Sequence, residues 1–228
     1  MDSSNGKGRH SPPKTIRLAI AQRGHRLHNI WWVWSYKLRE SCLLPSDAAL
    51  FHFALLEADP RVVSYVLEAP SLATEMGGAL VGTRFDAEVR LTDGTTTWDE
   101  VKWDIDSCNS ERPLQLPAQA QLAAQHGVLY RLFTVEDLRP HTNRVWNCLR
   151  MLQVLQAAQP FSVASARTCV LARLSSSPAM IGELRGVDQQ DEALNLAAVF
   201  GLMLEAAVTF DLDSGPITDG SEIRLVRS

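Results

Sequence analysis

The sequence lacks the motifs and runs that define several large protein classes. Its four cysteines are far apart and form no CxxC pair, so neither disulfides nor a zinc site is expected and a reducing cytosol is the expected compartment. No run of eighteen apolar residues occurs, so no membrane-spanning helix is expected. Histidines at HxxxH or HExxH spacing are absent, as are GxxxxGK[ST], GxGxxG and GxSxG. The usual indications of zinc hydrolysis, nucleotide binding and serine hydrolysis are therefore missing.

Positive charge is concentrated at the start of the chain. Residues 1–40 contain eight Lys or Arg and two acidic residues, although the 228-residue chain has a formal net charge of −4. A basic segment on an acidic body can bind a polyanion locally, or it can be a solvated tail, and both interpretations stay open. On the first interpretation, the residues that contact DNA are Lys14, Arg17, Arg23, Arg26, Lys37 and Arg39.

The hydrophobic pattern of the first two thirds of the chain predicts an α/β core. Arg84–Leu91 alternates apolar and polar residues, with Phe85 expected on the face of Ala87 and Val89, and an Asp-Gly turn leads into a second strand. Helical spacing and capping residues predict helices before and after this hairpin. The predicted order is a helix from Ser46 to Asp59, a strand at 62–66, the hairpin strands 84–91 and 96–103, a helix at 114–126 and a strand at 128–133.

Beyond Asn143 the pattern becomes mainly helical. An amphipathic helix is predicted from Val145 to Ala158, and three more helices at 163–174, 178–184 and 192–208. Two short strands within 209–226 follow, and helices followed by a hairpin are typical of a winged-helix module. The predicted organisation is a basic arm, an α/β domain and a winged-helix-like domain, at 1–28, 29–142 and 143–228.

One group of polar residues in the hairpin can carry chemistry. Asp86 is on the first strand, and Glu100 and Lys102 are two apart on the second, which places them on the same face. Carboxylates from adjacent strands can hold a hard divalent cation, and a lysine can orient a water molecule or stabilise charge on a phosphate. This spacing is the minimal signature of a metal-dependent phosphodiesterase of the restriction-endonuclease type. It is also compatible with an ordinary solvated hairpin face.

Several segments together resemble a known family. Short segments of the chain are similar to the TnsA-like endonucleases of cut-and-paste transposons. They are LLEADPRVV at 55–63 with EAP at 68–70, FDAEV at 85–89, EVK at 100–102, and HGV at 126–128 with FTVEDL at 133–138. The family's usual proline before the aspartate is Phe85 here. The resemblance covers about residues 45–140.

The resemblance implies a restriction-endonuclease-like fold and a nuclease that nicks DNA at transposon ends. The expected cofactor is Mg²⁺ or Mn²⁺, with Asp86 and Glu100 as metal ligands and with Lys102 as the third catalytic residue. The implied partners are transposon-end DNA, a DDE-type transposase that cuts the other strand and an AAA+ regulator. The implied location is the bacterial cytoplasm, in association with the nucleoid.

The chain departs from the family at one position. A glutamate on the first helix completes the family's metal site, and the matching position here is Ala49. Asp47, His52 and Glu57 are near in sequence, but they are offset along the helix. Either the site works with fewer carboxylates or the chain is inactive. Three hypotheses stay open: an endonuclease of transposition, a non-catalytic assembly subunit, and a restriction or repair nuclease with the same fold.

The basic arm generates a first prediction. Removal of residues 1–28 should weaken DNA binding and flatten its dependence on salt, because each neutralised phosphate releases counterions. The dissociation constant of the full and shortened chains, measured at several salt concentrations, tests this. An unchanged affinity would show that residues 1–28 are a solvated tail that does not contribute to DNA binding.

Overall fold

A computed structural model describes residues 29–67, 69, 71–104, 106, 112–187 and 191–226. Strands predominate up to residue 134, and helices predominate beyond it. In chain order the elements are β1 (Trp31–Trp34), β2 (Ser41–Leu44), α1 (Asp47–Ala58), β3 (Val62–Leu67), β4 (Leu72–Met76), β5 (Ala79–Thr83), β6 (Ala87–Leu91), β7 (Thr96–Lys102), α2 (Gln115–Gln125), β8 (Leu129–Thr134), α3 (Val135–Leu138), α4 (Thr142–Ala158), α5 (Ala164–Ser176), β9 (Ala179–Met180), α6 (Ile181–Arg185), α7 (Glu192–Leu204), β10 (Val208–Thr209) and β11 (Glu222–Leu225).

The central sheet has four strands in the order β3-β6-β7-β8. Neighbours β3 and β6 are antiparallel, as are β6 and β7, whereas β7 and β8 are parallel and are connected through α2. Helix α1 packs on one face of this sheet and α2 on the other. The predicted α/β class, a mixed sheet flanked by helices, is therefore confirmed.

Local sequence explains where α1 begins and ends. Ser46 is its N-cap, and the Ser46 hydroxyl accepts a hydrogen bond from the backbone N–H of Ala49 at 3.1 Å. Asp47 follows in the first turn, where a negative charge is favourable. Asp59 is the C-cap, and its N–H donates to the carbonyl of Leu55. The predicted helix boundaries at Ser46 and Asp59 are therefore confirmed.

The structure contains a hairpin that the sequence analysis did not identify. Strands β4 and β5 pair with each other, and Gly77 and Gly78 connect them. Both glycines have positive φ angles, 60° and 79°, which residues with a side chain rarely adopt. This hairpin packs against α2, where Gln121 donates to the hydroxyl of Thr74 at 3.0 Å.

Two boundaries in the C-terminal third were predicted wrongly. The predicted helix at 178–184 begins only at Ile181, because Ala179 and Met180 pair with Ile223 and Glu222 as strand β9. The predicted helix at 192–208 ends at Leu204, and Ala206 then has a positive φ of 54°. Val208–Thr209 forms β10, and the small sheet has the order β10-β11-β9.

The main hydrophobic core is continuous across the predicted domain boundary at residue 142. Helix α4 begins at Thr142 and packs against both α1 and α7. Buried side chains of all three helices belong to one cluster, among them Phe53, Met151 and Phe200. Within the described ranges, no helix combines the length and the apolar character needed to cross a membrane.

A buried carboxylate joins α1 to the segment after β1 and to β3. Glu57 is fully buried and accepts hydrogen bonds from the hydroxyls of Ser35 and Tyr65, both at 2.6 Å. It also accepts from the backbone N–H groups of Tyr36 at 2.8 Å and Lys37 at 3.3 Å. Glu57 thus has a structural role and does not supply the missing carboxylate of the predicted metal site.

Replacement of this carboxylate should destabilise the protein strongly. The change Glu57→Ala leaves several buried donors without an acceptor, and we expect the free energy of unfolding to fall by about 3 kcal/mol or more. Urea unfolding followed by circular dichroism measures this change. Glu75→Ala, on an exposed position of β4, is the control and should change stability by less than about 0.5 kcal/mol. Equal losses in the two variants would contradict the assignment.

Candidate active site

The three polar residues of the hairpin line one cleft. Asp86, Glu100 and Lys102 are together in an open cleft of about 690 Å³, as the strand alternation predicts. Hairpin β4–β5 and the segment that leads into α2 form its other walls. The remaining lining residues are Ser71, Leu72, Val81, Gly82, Thr83, Arg84, Arg112, Pro113, Leu114 and Gln115.

Strand β7 presents Glu100 and Lys102 to the side of the sheet covered by α2. Glu100 is buried, with 1 % of its surface exposed, and its Oε1 forms an ion pair with Nζ of Lys102. The Nε2 group of Gln119 donates to Glu100 Oε2 at 2.7 Å, and Gln115 donates from 3.4 Å. Gln115 and Gln119 are four residues apart on α2 and therefore share a helix face. That spacing is a signal in the sequence, although it did not identify them as site residues.

Asp86 lies just before β6, where the chain enters the sheet. Its Oδ2 accepts a hydrogen bond from the N–H of Val101 at 2.7 Å, and its own N–H donates to the carbonyl of Asp99 at 2.9 Å. These bonds attach the aspartate to β7, next to Glu100. The side chain of Asp86 is exposed toward the cleft, whereas that of Glu100 is buried below it.

Phe85 does not lie where the alternation predicted. It packs against Trp98 with ring centroids 4.6 Å apart, in a small cluster that also contains Leu122. Ala87 and Val89 belong to the main core instead. The reason is that β6 begins only at Ala87, so the strand period does not extend to Phe85.

The electrostatics of the cleft favour a proton or a cation beside Glu100. Burial and, to a lesser extent, the nearby charge of Asp86 raise the pKa of Glu100 from 4.5 to a net value of about 7. The ion pair with Lys102 and the hydrogen bond from Gln119 act in the opposite direction. Two carboxylates are thus held close enough to disfavour each other's charge.

Asp86 and Glu100 fit a hard divalent cation in donor type and in electrostatics. Carboxylate oxygens are the ligands that Mg²⁺ prefers, and a cation would relieve the repulsion that contributes to the raised pKa of Glu100. The two carboxylates would leave the rest of the coordination sphere to water. In the part of the chain that the structure describes, no three His, Cys, Asp or Glu side chains form a group that could hold a metal ion.

Ala49 lines a second, smaller cavity on the other side of Asp86. This cavity has a volume of about 160 Å³, and Ala49, His52, Asp86 and Val101 are among its lining residues. Asp47 points elsewhere, since it accepts hydrogen bonds from Asn29 at 2.9 Å and from the indole of Trp31 at 2.8 Å. Neither Asp47 nor Glu57 therefore replaces a carboxylate at position 49.

His52 belongs to a buried polar cluster on the α1 side of the sheet. Its Nε2 atom is 2.9 Å from Oδ2 of Asp99, which is fully buried. Arg131 donates to both carboxylate oxygens of Asp99, at 2.8 and 2.6 Å, and the hydroxyl of Thr97 donates at 2.9 Å. The sequence analysis did not identify this cluster, because its members are far apart in the chain.

Two of the predicted DNA-binding residues, Lys37 and Arg39, are described by the structure, and neither lines the cleft. Lys14, Arg17, Arg23 and Arg26 lie outside the described residues. Lys37 donates from Nζ to the carbonyls of Asp59 and Val62, at 2.5 and 2.6 Å, so its ammonium group is used within the fold. The guanidinium of Arg39 lies 3.9 Å from the ring centroid of Tyr36. The basic residues that do line the cleft, besides Lys102, are Arg84 and Arg112.

The raised pKa of Glu100 generates a prediction about stability. Because this pKa is about 7 in the folded protein and near 4.5 in the unfolded chain, the folded state binds more protons between these pH values. Stability should therefore fall as the pH rises from 4.5 to 7. At pH 8, Glu100→Gln should be more stable than the unmodified protein by about 2 kcal/mol.

Urea unfolding at pH 5 and pH 8 compares the two proteins. The difference between them should be much smaller at pH 5 than at pH 8. A difference that does not change with pH would show that Glu100 titrates normally. Asp93→Asn is a suitable control, since Asp93 is exposed in the turn between β6 and β7.

The chain was also compared with known proteins. A scan against protein-family models finds no match, and a search of curated proteins finds no match either. These comparisons assign no family to the chain.

Proposed function

We propose that this protein is a metal-dependent DNA endonuclease of the TnsA-like type, which cuts one strand at transposon ends. The observation that carries the proposal is the convergence of Asp86, Glu100 and Lys102 in one open cleft. Two carboxylates and a lysine at this spacing are the residue types that hydrolysis of a phosphodiester with a divalent cation requires. The cleft is open to solvent, and its lining includes the basic residues Arg84, Lys102 and Arg112, which suits a nucleic-acid backbone.

The order of elements supports a restriction-endonuclease-like core. Helix α1, strands β3, β6 and β7, helix α2 and strand β8 follow one another, with hairpin β4–β5 inserted after β3. The three antiparallel strands and the parallel fourth strand fit that fold. In the C-terminal third, α5, β9, α6, α7, β10 and β11 with the sheet order β10-β11-β9 support a winged-helix domain.

The proposed reaction assigns one role to each residue. Asp86 and Glu100 would hold Mg²⁺ or Mn²⁺, which supplies an acidified water and charge stabilisation on the phosphate. Lys102 would hold the attacking water or stabilise negative charge as the phosphodiester is cleaved. Gln119 keeps Glu100 oriented toward the cleft through its 2.7 Å hydrogen bond. Ionisation of Glu100 is needed before it can bind a cation, so activity should rise through neutral pH.

The partners belong to the proposal as well. The resemblance to TnsA-like proteins supports a DDE-type transposase that cuts the opposite strand, an AAA+ regulator and transposon-end DNA. Asp191 is the N-cap of α7 and Glu192 is its first residue, and α7 is the helix that would read DNA in a winged-helix domain. Acidic residues oppose phosphate contacts, which favours a protein partner for this domain. Association with the bacterial nucleoid follows from the same proposal.

A second candidate function is a non-catalytic assembly subunit with the same fold. The specific observation in its favour is Ala49, which lines the small cavity beside Asp86 where the resemblance implies a carboxylate. A restriction or repair nuclease is a third candidate, since the same cleft would serve either process.

Nicking of supercoiled plasmid DNA in Mg²⁺ or Mn²⁺ tests these alternatives. We expect low activity in the unmodified chain, because two carboxylates hold a cation less firmly than three. Ala49→Glu should increase nicking by about 10²-fold, with the transposase partner present if cleavage depends on it. Asp86→Asn and Lys102→Ala, introduced into Ala49→Glu, should abolish the gain.

Two results would decide between these alternatives. Robust nicking by the unmodified chain, abolished by Asp86→Asn, would show that the site is complete without a carboxylate at position 49. No activity in Ala49→Glu with any metal or partner would favour the assembly subunit. The control for Ala49→Glu is Ala73→Glu, which adds a glutamate on the exposed side of β4. Ala54→Glu is not suitable, because Ala54 is fully buried.

A further inference from the structure

We propose that Thr83 and Arg84, together with Arg112, form a subsite that binds a phosphate of the DNA backbone beside the catalytic carboxylates. The inference rests on the proposed function, since it adds a substrate contact to the same cleft. Thr83 ends strand β5, Arg84 follows it, and Arg112 precedes α2. All three residues line the cleft that contains Asp86 and Glu100.

The hydroxyl of Thr83 is the strongest evidence for a ligand. Thr83 is 8 % exposed, and its Oγ1 atom is buried without a hydrogen-bond partner among the described residues. A buried polar atom that lacks a partner is unfavourable, and most such atoms in native proteins are satisfied. Because Thr83 lines the cleft, a rotation of its side chain would let a phosphate oxygen there accept the hydrogen bond that this hydroxyl can donate.

Arg84 is held at a fixed place relative to the carboxylates. The carbonyl of Arg84 accepts a hydrogen bond at 3.1 Å from Nε2 of Gln119, the same group that donates to Glu100. Its Nε donates to the hydroxyl of Ser71 at 3.3 Å. Tyr130 in turn donates to Oε1 of Gln119 at 3.0 Å and so fixes the orientation of the amide. One glutamine therefore sets the spacing between Glu100 and the main chain of Arg84.

Charge and shape at this wall also suit a phosphate. Arg84 and Arg112 add two guanidinium groups to the cleft, and guanidinium groups bind phosphate oxygens through paired N–H donors. Gly82 lies beside them and has no side chain, and open space surrounds the position where a Cβ would be. The backbone of a DNA strand could therefore approach this wall closely.

Binding of a fluorescent DNA duplex in EDTA, followed by anisotropy at several salt concentrations, tests the subsite without cleavage. Arg84→Ala should weaken binding about five- to tenfold and reduce the slope of log affinity against log salt by about one. Thr83→Val should weaken binding about threefold or more and should also raise the melting temperature, because the variant no longer buries an unsatisfied hydroxyl. Thr83→Ser keeps a hydroxyl and should retain most of the affinity.

The control is Arg90→Ala, at an exposed position of β6 outside the cleft, which should leave affinity and salt slope nearly unchanged. Unchanged affinity in both Thr83→Val and Arg84→Ala would overturn the subsite, as would the absence of measurable DNA binding by the unmodified chain. If these variants bind normally while Asp86→Asn abolishes nicking by Ala49→Glu, only the subsite fails. If they bind weakly and no variant nicks DNA, only the endonuclease function fails.

Discussion

The buried carboxylate of Asp99 connects the elements on which the cleft depends. It receives hydrogen bonds from Arg131 on β8 and is in contact with His52 on α1, so one side chain joins the central strand to a helix and to its parallel neighbour. Burial alone raises the pKa of Asp99, but the hydrogen bonds from His52 and Arg131 bring it below its ordinary value. Since neighbouring strand residues face opposite ways, fixing Asp99 toward α1 also directs Glu100 toward the cleft.

The balance of forces differs between the two faces of β7. On the α1 side, the negative charge of Asp99 is matched by a guanidinium and a set of donors, which stabilises the ionised carboxylate. On the cleft side, burial and the charge of Asp86 make ionisation of Glu100 unfavourable, despite Lys102. Two adjacent residues of one strand thus have opposite electrostatic environments. The environment of Glu100, which raises the pKa of a carboxyl group, is typical of functional sites, because such a site can hold an ionisable group even where its ionisation is unfavourable for stability.

The sequence predicted those parts of the site that depend on local order. The alternation of Arg84–Leu91 and the Asp-Gly turn placed Asp86, Glu100 and Lys102 on strands that meet, because register in a short hairpin follows from its turn. The same reasoning failed for Phe85, which lies two residues before the strand begins at Ala87. Gln119 was not recognised, because its contact with Glu100 forms only when α2 packs on the sheet. The roles proposed for Thr83 and Arg84 likewise depend on hairpin β4–β5 bordering the cleft. The hydrogen bonds of Lys37 could not be recognised for a similar reason, because its acceptors are carbonyls that folding brings close.

The continuous core has a consequence for how such a chain can change in evolution. Helix α4 shares buried contacts with α1 on one side and with α7 on the other. Recombination could therefore not readily replace the C-terminal third by another domain. The new domain would have to reproduce both packing surfaces of α4. Specificity for a new partner would be acquired more readily through changes on the exposed surfaces of α5 to α7 than through replacement of the whole unit.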